Sequence, residues 1–334
     1  MANIIRTITI VIPTFKNTAG LLVLLDSIEK QNIEAKIIDI IIIDDQSGED
    51  VDSVIEPWSG RLNIKCLKSA VKGRPGARNT GATVSKSDVL IFIDDDMVLL
   101  PDYIEEFMKA NHNNPYAVLV SNIETPTDNY SLWNNLHDLR FEQQQKQAET
   151  NPYDLPYTCL FTGSLLVPRL LFEKIGGFDQ VSFSYYGGED FDFGIRFRDA
   201  GVKIAYANRA IAVHKQKSIS FARYLDKTVW EAKSLARLLA KHKGVLAKES
   251  HKWEYLGKMP GVDVRLSQPV KQVVKNIIAL PVISIMIVLL AGLLWALGLK
   301  HMALKVGGFG IKYYGLGYFD KELRTQLIRS KRTA

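Results

Sequence analysis

Apolar positions along the front of the chain follow two periods. Residues 7–12, 37–43, 63–67 and 89–93 are short runs rich in Ile and Val, whereas 17–31, 49–57 and 75–85 carry apolar side chains at helical spacing. The run at 37–43, IIDIIII, is almost continuously β-branched and predicts a strand buried on both faces of a mostly parallel sheet. Pro75 stands where a helix would start and its missing N–H costs nothing, and another helix is predicted after Pro101. Repeated strand–helix–strand units predict an α/β, doubly wound, Rossmann-like fold. Residues 125–157 are polar and Gln-rich, with Pro126, Pro152 and Pro156, and predict one helix between loops. Beyond them, 202–206 read as a strand and 210–213 as a further apolar run ending at His214.

The back of the chain is patterned differently. Residues 277–299 contain no charged side chain, and a run of that length is about the ~20 residues needed to cross a hydrocarbon core. A membrane helix is predicted there, with Pro281 near one end and Trp295 near an interface. Residues 218–243 place Phe221, Leu225, Val229, Leu235, Leu238 and Leu239 at helical spacing and Arg223, Lys227, Lys233, Arg237, Lys241 and Lys243 elsewhere. Such a helix suits an anionic membrane surface, and equally a protein core with a solvated basic face.

Charge sharpens the division. Residues 1–214 hold 20 Lys and Arg against 29 Asp and Glu, and residues 215–334 hold 22 against 7, within a net charge of +6. The positive charge therefore lies outside the acidic part, which argues against a nucleic-acid-binding enzyme core. The 334 residues, 47% hydrophobic and 23% charged, exclude a disordered or collagen-like chain. Cys66 and Cys159 alone support neither a disulfide framework nor a zinc site. The apolar run at the N-terminus is too short for a signal peptide, so the front part is expected in the cytosol.

Function in open parallel sheets collects at the carboxyl ends of strands, and acidic residues stand there. The second strand ends in Asp44-Asp45-Gln46-Ser47 and the fourth in Asp94-Asp95-Asp96. Consecutive carboxylates repel one another unless a cation intervenes, and Mg²⁺ or Mn²⁺ takes oxygen ligands of this kind. In extended backbone Asp94 and Asp96 would share one side and Asp95 the other. Without a cation, the same run is an acidic, solvated turn. The segment Lys72-Gly73-Arg74-Pro75-Gly76-Ala77-Arg78 opens a helix with basic residues suited to phosphate or ribose oxygens, yet it is neither GxGxxG nor a P-loop. Gly187-Gly188-Glu189-Asp190 precedes another helix, where a carboxylate either complements the dipole or serves as a general base.

Taken in order, Val11-Ile12-Pro13-Thr14-Phe15, Asp44 to Ser47, Gly76-Ala77-Arg78-Asn79-Thr80-Gly81, Asp94 to Asp96, Gly176-Gly177-Phe178-Asp179 and Gly188-Glu189-Asp190 resemble family 2 glycosyltransferases of the GT-A fold. The resemblance covers about residues 5–215, and 176–198 also looks like the segment shared with galactosyl- and N-acetylgalactosaminyl-type transferases. It implies inverting transfer of a sugar from a nucleotide diphosphate sugar, most simply a UDP-hexose or UDP-N-acetylhexosamine. It further implies that Pro13, Thr14, Asp44 and Asp45 hold the uracil and ribose, that Arg78 lines the nucleotide pocket, and that Asp94 and Asp96 are the outer positions of a DxD motif. Asp94 would lie near the ribose and, with Asp96, at a Mn²⁺ or Mg²⁺ ion, with His214 at a late metal or diphosphate contact. Asp190 matches the catalytic base, with Glu189 beside it; Asp95, counted with Asp94 among the donor contacts, stands where a small residue is common, which leaves open which carboxylates meet donor and metal.

The expected organisation is a catalytic domain at 1–215, a basic amphipathic helix and linker at 216–270, and a transmembrane or re-entrant region with a basic tail at 271–334. Expected partners are the nucleotide-sugar donor, a lipid-linked or glycan acceptor and membrane lipids, with the catalytic domain facing the cytoplasm. Two other readings stand beside this one. A membrane-anchored nucleotide-sugar sensor or scaffold would not need the intact acidic motifs, and a sugar-phosphate nucleotidyltransferase would leave Gly188-Glu189-Asp190 without a purpose.

Overall fold

The β-branched runs do form the centre of a sheet. In the computed structural model, which describes residues 7–32, 38–126, 131–184, 187–215, 218–242 and 281–332, β1 (Ile8–Thr14) lies between β2 (Ile38–Asp44) and β4 (Val89–Ile93), parallel to both. Every side chain of β1 and β4 is buried, as a strand covered on both faces requires. The other strands are β3 (Asn63–Lys68), β5 (Met97–Leu99), β6 (Ala117–Glu124), β7 (Ser164–Pro168) and β8 (Lys203–His214). The order across the eight-stranded sheet is β3-β2-β1-β4-β7-β6-β8-β5, with β7 antiparallel to β4 and β6 and β5 antiparallel to β8. The strand order turns back between β1 and β4, so the carboxyl ends of β1, β2 and β4 open on one crevice.

Helices α1 (Thr18–Glu29), α2 (Val51–Ile55), α3 (Arg74–Val84), α4 (Tyr103–Asn113), α5 (Leu132–Thr150), α6 (Arg169–Lys174) and α7 (Glu189–Asp199) accompany the strands. Leu21, Leu24, Leu25 and Ile28 of α1 are buried with Ile10, Ile12, Ile40, Ile42 and Ile91, each contributing about 1.5–3 kcal/mol when fully removed from water. On α3, Gly81 allows a close approach to the sheet: a Cβ there would stand 2.4 Å from Val11 Cγ1 and 3.3 Å from Ile43 Cγ1. Neither β-branched neighbour can swing away, so Gly81→Ala should lower stability by about 1–3 kcal/mol, read as a shifted urea midpoint with unchanged slope.

One strand differs from its expected form. The two runs at 202–206 and 210–213 are a single strand, β8, because its pairing with β6 continues across a register shift at Ser121/Asn122 while Asn208 and Arg209 remain exposed.

The chain divides into two compact units. The first comprises 1–128, 138–184 and 189–217; the second comprises 129–137, 185–188 and 218–334. Within the second, α8 (Phe221–Lys241), α9 (Pro281–Ala296) and α10 (Lys300–Arg332) pack on one another through small residues. Gly310 approaches Val288, Gly307 approaches Ala291, and Gly315 meets Thr228 and Ala232.

The membrane-spanning expectation finds no support among the described residues. Among the described residues no helix is long and apolar enough to cross a membrane. Residues 243–280, which include the first four of the apolar run at 277–299, lie outside the described residues, and the described part of that run forms α9, with 16 residues. It stops at Gly298, whose φ of 77° suits a Schellman end. The Gly298 N–H reaches Trp295 O at 3.0 Å and the Leu299 N–H reaches Leu294 O at 2.9 Å.

Candidate active site

The acidic motifs meet at the crevice, but each carboxylate has its own partner. Asp44 accepts the Ser47 N–H at 2.9 Å and closes the turn after β2, where Gln46 takes a φ of 60°. Asp45 accepts the Gly73 N–H on both oxygens, at 2.8 and 3.0 Å. Burial pushes the Asp45 carboxyl up, opposed by that hydrogen bond and by Lys72. Gly73 is needed at this point: its φ is 107°, and a Cβ would come 2.5 Å from Ser184 O. Pro13 and Thr14, at the end of β1, are buried beside Asp45, whose N–H bonds Thr14 O at 2.9 Å.

The Asp94 to Asp96 run is a turn, so the expected alternation of an extended segment does not apply. Asp94 pairs with Arg78 Nη2 at 2.7 Å. Asp95 turns to the loop after β1, accepting hydrogen bonds from Thr14 Oγ1 at 2.6 Å and Asn17 Nδ2 at 3.0 Å. Asp96 faces His214, with Oδ2 3.4 Å from Nε2. Asp95, expected among the donor contacts, instead ties β1 to the turn.

Burial raises Asp95 to about 6, against the hydrogen bonds from Thr14 and Asn17. The folded protein then holds a proton that the unfolded chain, with its carboxyl near 3.9, has released. Stability from this group therefore grows as pH falls from about 6 to about 4. Asp95→Asn keeps an acceptor for Asn17 and a donor for Thr14, so in metal-free protein its stability relative to wild type should be greater at about pH 7 than at about pH 5. A difference independent of pH, by urea unfolding, would contradict the assignment.

Arg78 is 1% exposed and joins the two halves of the crevice. Besides Asp94 it lies 3.5 Å from Glu189 Oε1 at the first turn of α7, with its guanidinium over the Phe178 ring. Burial, then the neighbouring Asp190, pushes Glu189 up, and Arg78 and Arg74 pull it down. Asn79 holds the Gly176 to Asp179 segment in place, donating to Phe178 O and accepting the Phe178 N–H, both at 2.9 Å. That reciprocal pair explains why the two motifs belong together.

Four residues with no assigned role in the sequence reading also stand here. Thr162 Oγ1 donates to Asp190 Oδ1 at 2.5 Å, and the next residue, Gly163, accepts the Asp94 N–H on its carbonyl at 3.0 Å. Asp138 on α5 lies 3.5 Å from His214 Nδ1. Phe15, 46% exposed, follows Thr14 with Lys16 and Lys72 near its ring; an exposed aromatic after a buried strand end is the signal that could have marked it. Thr162 and Asp138 carry no local signal.

Burial disfavours the His214 imidazolium, but Asp138 and Asp96 outweigh it and hold the group up at about 9. Among the described residues no group of three or more His, Cys, Asp or Glu forms a ready metal cage. Asp96 and His214 nevertheless fit a divalent cation of the Mn²⁺ type, which takes carboxylate and imidazole and fills its remaining positions with water and phosphate oxygens. Asp94, expected at the same ion, is paired with Arg78.

The fold is of the GT-A type. Among solved structures the chain is similar to the mannosyltransferase PcManGT from Pyrobaculum calidifontis in complex with GDP-Man and Mn²⁺, with a TM-score of 0.56 and 18% identity over 71% of this chain and 64% of that one. It is also similar to GalNAc-T7 with UDP, GalNAc and Mn²⁺, with a TM-score of 0.53 and 18% identity over 71% and 48%. Residues 9–172 match the model of glycosyl transferase family 2, and residues 143–219 match that of the N-terminal domain of galactosyltransferase. Residues 9–172 thus belong to glycosyl transferase family 2. Relatives include validoxylamine A glucosyltransferase of Streptomyces hygroscopicus subsp. jinggangensis (strain 5008), 23% identical over 61% of this chain and 54% of that protein. Chondroitin synthase of Pasteurella multocida (strain Pm70) is 25% identical over 63% of this chain and 25% of its own length. The chain thus spans about half the length of the first of these relatives and a quarter of the second.

Proposed function

We propose that this protein is an inverting, metal-dependent hexosyltransferase that moves a sugar from a UDP-hexose or UDP-N-acetylhexosamine to a lipid-linked or glycan acceptor at the cytoplasmic face of a membrane. The observation that carries the reading is the Thr162–Gly163 pair, which fixes Asp190 and the Asp94 backbone through adjacent residues and so sets a base beside the acidic turn. Pro13, Thr14, Asp44 and Asp45 receive the uracil and ribose, Arg78 and Asp94 line the nucleotide side, and Asp96 with His214 holds the cation. A cation bound there supplies positive charge for the departing diphosphate. Asp190 accepts the proton of the acceptor hydroxyl as its oxygen bonds the anomeric carbon, and the bond from that carbon to the diphosphate oxygen breaks. A single displacement of this kind inverts the anomeric carbon. Glu189, turned to Arg78, orients the site.

The membrane placement is supported by α9. Val282, Met286, Leu289 and Leu293 recur at intervals of three and four on one exposed side, and 281–299 carries no charge. Lys300 and Lys305 follow, within a back part that holds 22 cations against 7 anions. Cys66 and Cys159 are free thiols, as a reducing compartment requires.

The test is a panel of UDP- and GDP-sugars with Mn²⁺ or Mg²⁺, scoring nucleotide release with and without membrane-lipid extract. Metal-dependent UDP release that rises with the extract is the expected result. Failure of every donor with folded protein would overturn the enzymatic reading, and donor-specific release indifferent to lipid would overturn the lipid-linked acceptor.

A further inference from the structure

The His214 ring lies between two carboxylates, and only one of them belongs to the acidic turn. Its Nε2 is 3.4 Å from Asp96 Oδ2, and its Nδ1 is 3.5 Å from Oδ1 of Asp138, which is 4% exposed on α5. Phe141, three residues further along α5, meets the ring edge-on at 5.5 Å between centroids. The backbone is fixed as well, since Met97 pairs with His214 across β5 and β8 and the Lys215 N–H reaches Asp96 O at 2.8 Å. Both side chains of the pair are therefore held at their Cα atoms, and what remains to be set is which ring nitrogen faces the cation.

An imidazole that ligates a cation through one nitrogen keeps its proton on the other, and a carboxylate behind that N–H fixes the ring and raises its basicity. We propose that Asp138 is this positioning residue: it accepts Nδ1–H of His214 and thereby presents Nε2, beside Asp96, to a divalent cation. The inference rests on the reading of Asp96 and His214 as the cation site. Asp138 touches neither donor nor acceptor in this role and acts through His214 alone. The same α5 helix supplies both the carboxylate and the Phe141 edge, so ring tautomer and ring plane are set together.

The test is Mn²⁺ affinity of the full chain in the presence of UDP, by electron paramagnetic resonance of free Mn²⁺, for wild type, Asp138→Ala, Asp138→Asn, His214→Ala and the Asp138→Ala/His214→Ala double variant. Removal of such a supporting carboxylate weakens metal binding by about 10–100-fold, and that loss is expected for Asp138→Ala. Asp138→Asn keeps an oxygen for Nδ1–H and should lose less; it also serves as the test if the alanine variant fails to fold. The double variant should be no weaker than His214→Ala, because Asp138 has no effect once the ring is gone. Unchanged affinity in folded Asp138→Ala, or additive losses, would overturn the inference while leaving the cation site in place. Wild type that binds no Mn²⁺ with UDP would overturn the cation site itself, and the inference with it.

Discussion

Replacing Asp190 by Asn is expected to cut sugar transfer by about 10²–10⁴-fold, the usual contribution of a positioned general base, with UDP-sugar affinity largely preserved. The substitution is close to isosteric, and an amide oxygen can still accept the Thr162 hydroxyl that holds the side chain at 2.5 Å. What disappears is the capacity to take a proton. Glu189 does not replace it, because that carboxylate is buried against Arg78. Donor affinity by calorimetry and kcat for transfer, measured on the same preparation, separate the two effects. An equal loss in both would show that Asp190 binds donor and would remove the assignment of the base.

Asp96→Ala should abolish metal-stimulated transfer, with a loss of at least about 10²-fold that excess Mn²⁺ does not restore. Its partner His214 would remain as a single neutral or cationic nitrogen, a poor site for a hard cation. Chelation of the wild-type enzyme should give the same inactive state, reversed by adding Mn²⁺ back. Mn²⁺ titration of transfer activity compares the two; a variant rescued at high Mn²⁺ with normal kcat would reduce Asp96 to one of several weak ligands.

The exposed side of α9 and the catalytic crevice are separable questions. Vesicle binding can be lost without touching the acidic turn, and transfer to a soluble acceptor can be measured without lipid. Attachment through a short helix asks for one leaflet and a charged headgroup surface, whereas a span would ask for about 30 Å of helix.

Much of the fold was legible because its signals are local. Continuous β-branched runs can only be covered on both faces, and this placed β1, β2 and β4 and the polar residues at their ends. Glu189 and Asp190 follow two glycines and open α7 as the pattern predicted. The apolar run at 277–299 was legible as apolar, and its C-terminal end is set by Gly298 taking a left-handed φ, a backbone choice that a hydropathy count does not register.

The sequence by itself determined the strand–helix alternation, the acidic strand ends and the kinds of side chain gathered there, because each depends on neighbours a few residues away. Tertiary structure decided which partner each carboxylate received. Asp94, Asp95 and Asp96 are adjacent in sequence, yet they face Arg78, Thr14 with Asn17, and His214. His214 reaches Asp96 only because β5 reverses and pairs with the end of β8, and Asp138 reaches His214 only because α5 packs behind that strand end. Hydrogen bonds between such distant segments leave no periodic trace in either one, so the chemistry of the site was readable as composition and its geometry only as a fold.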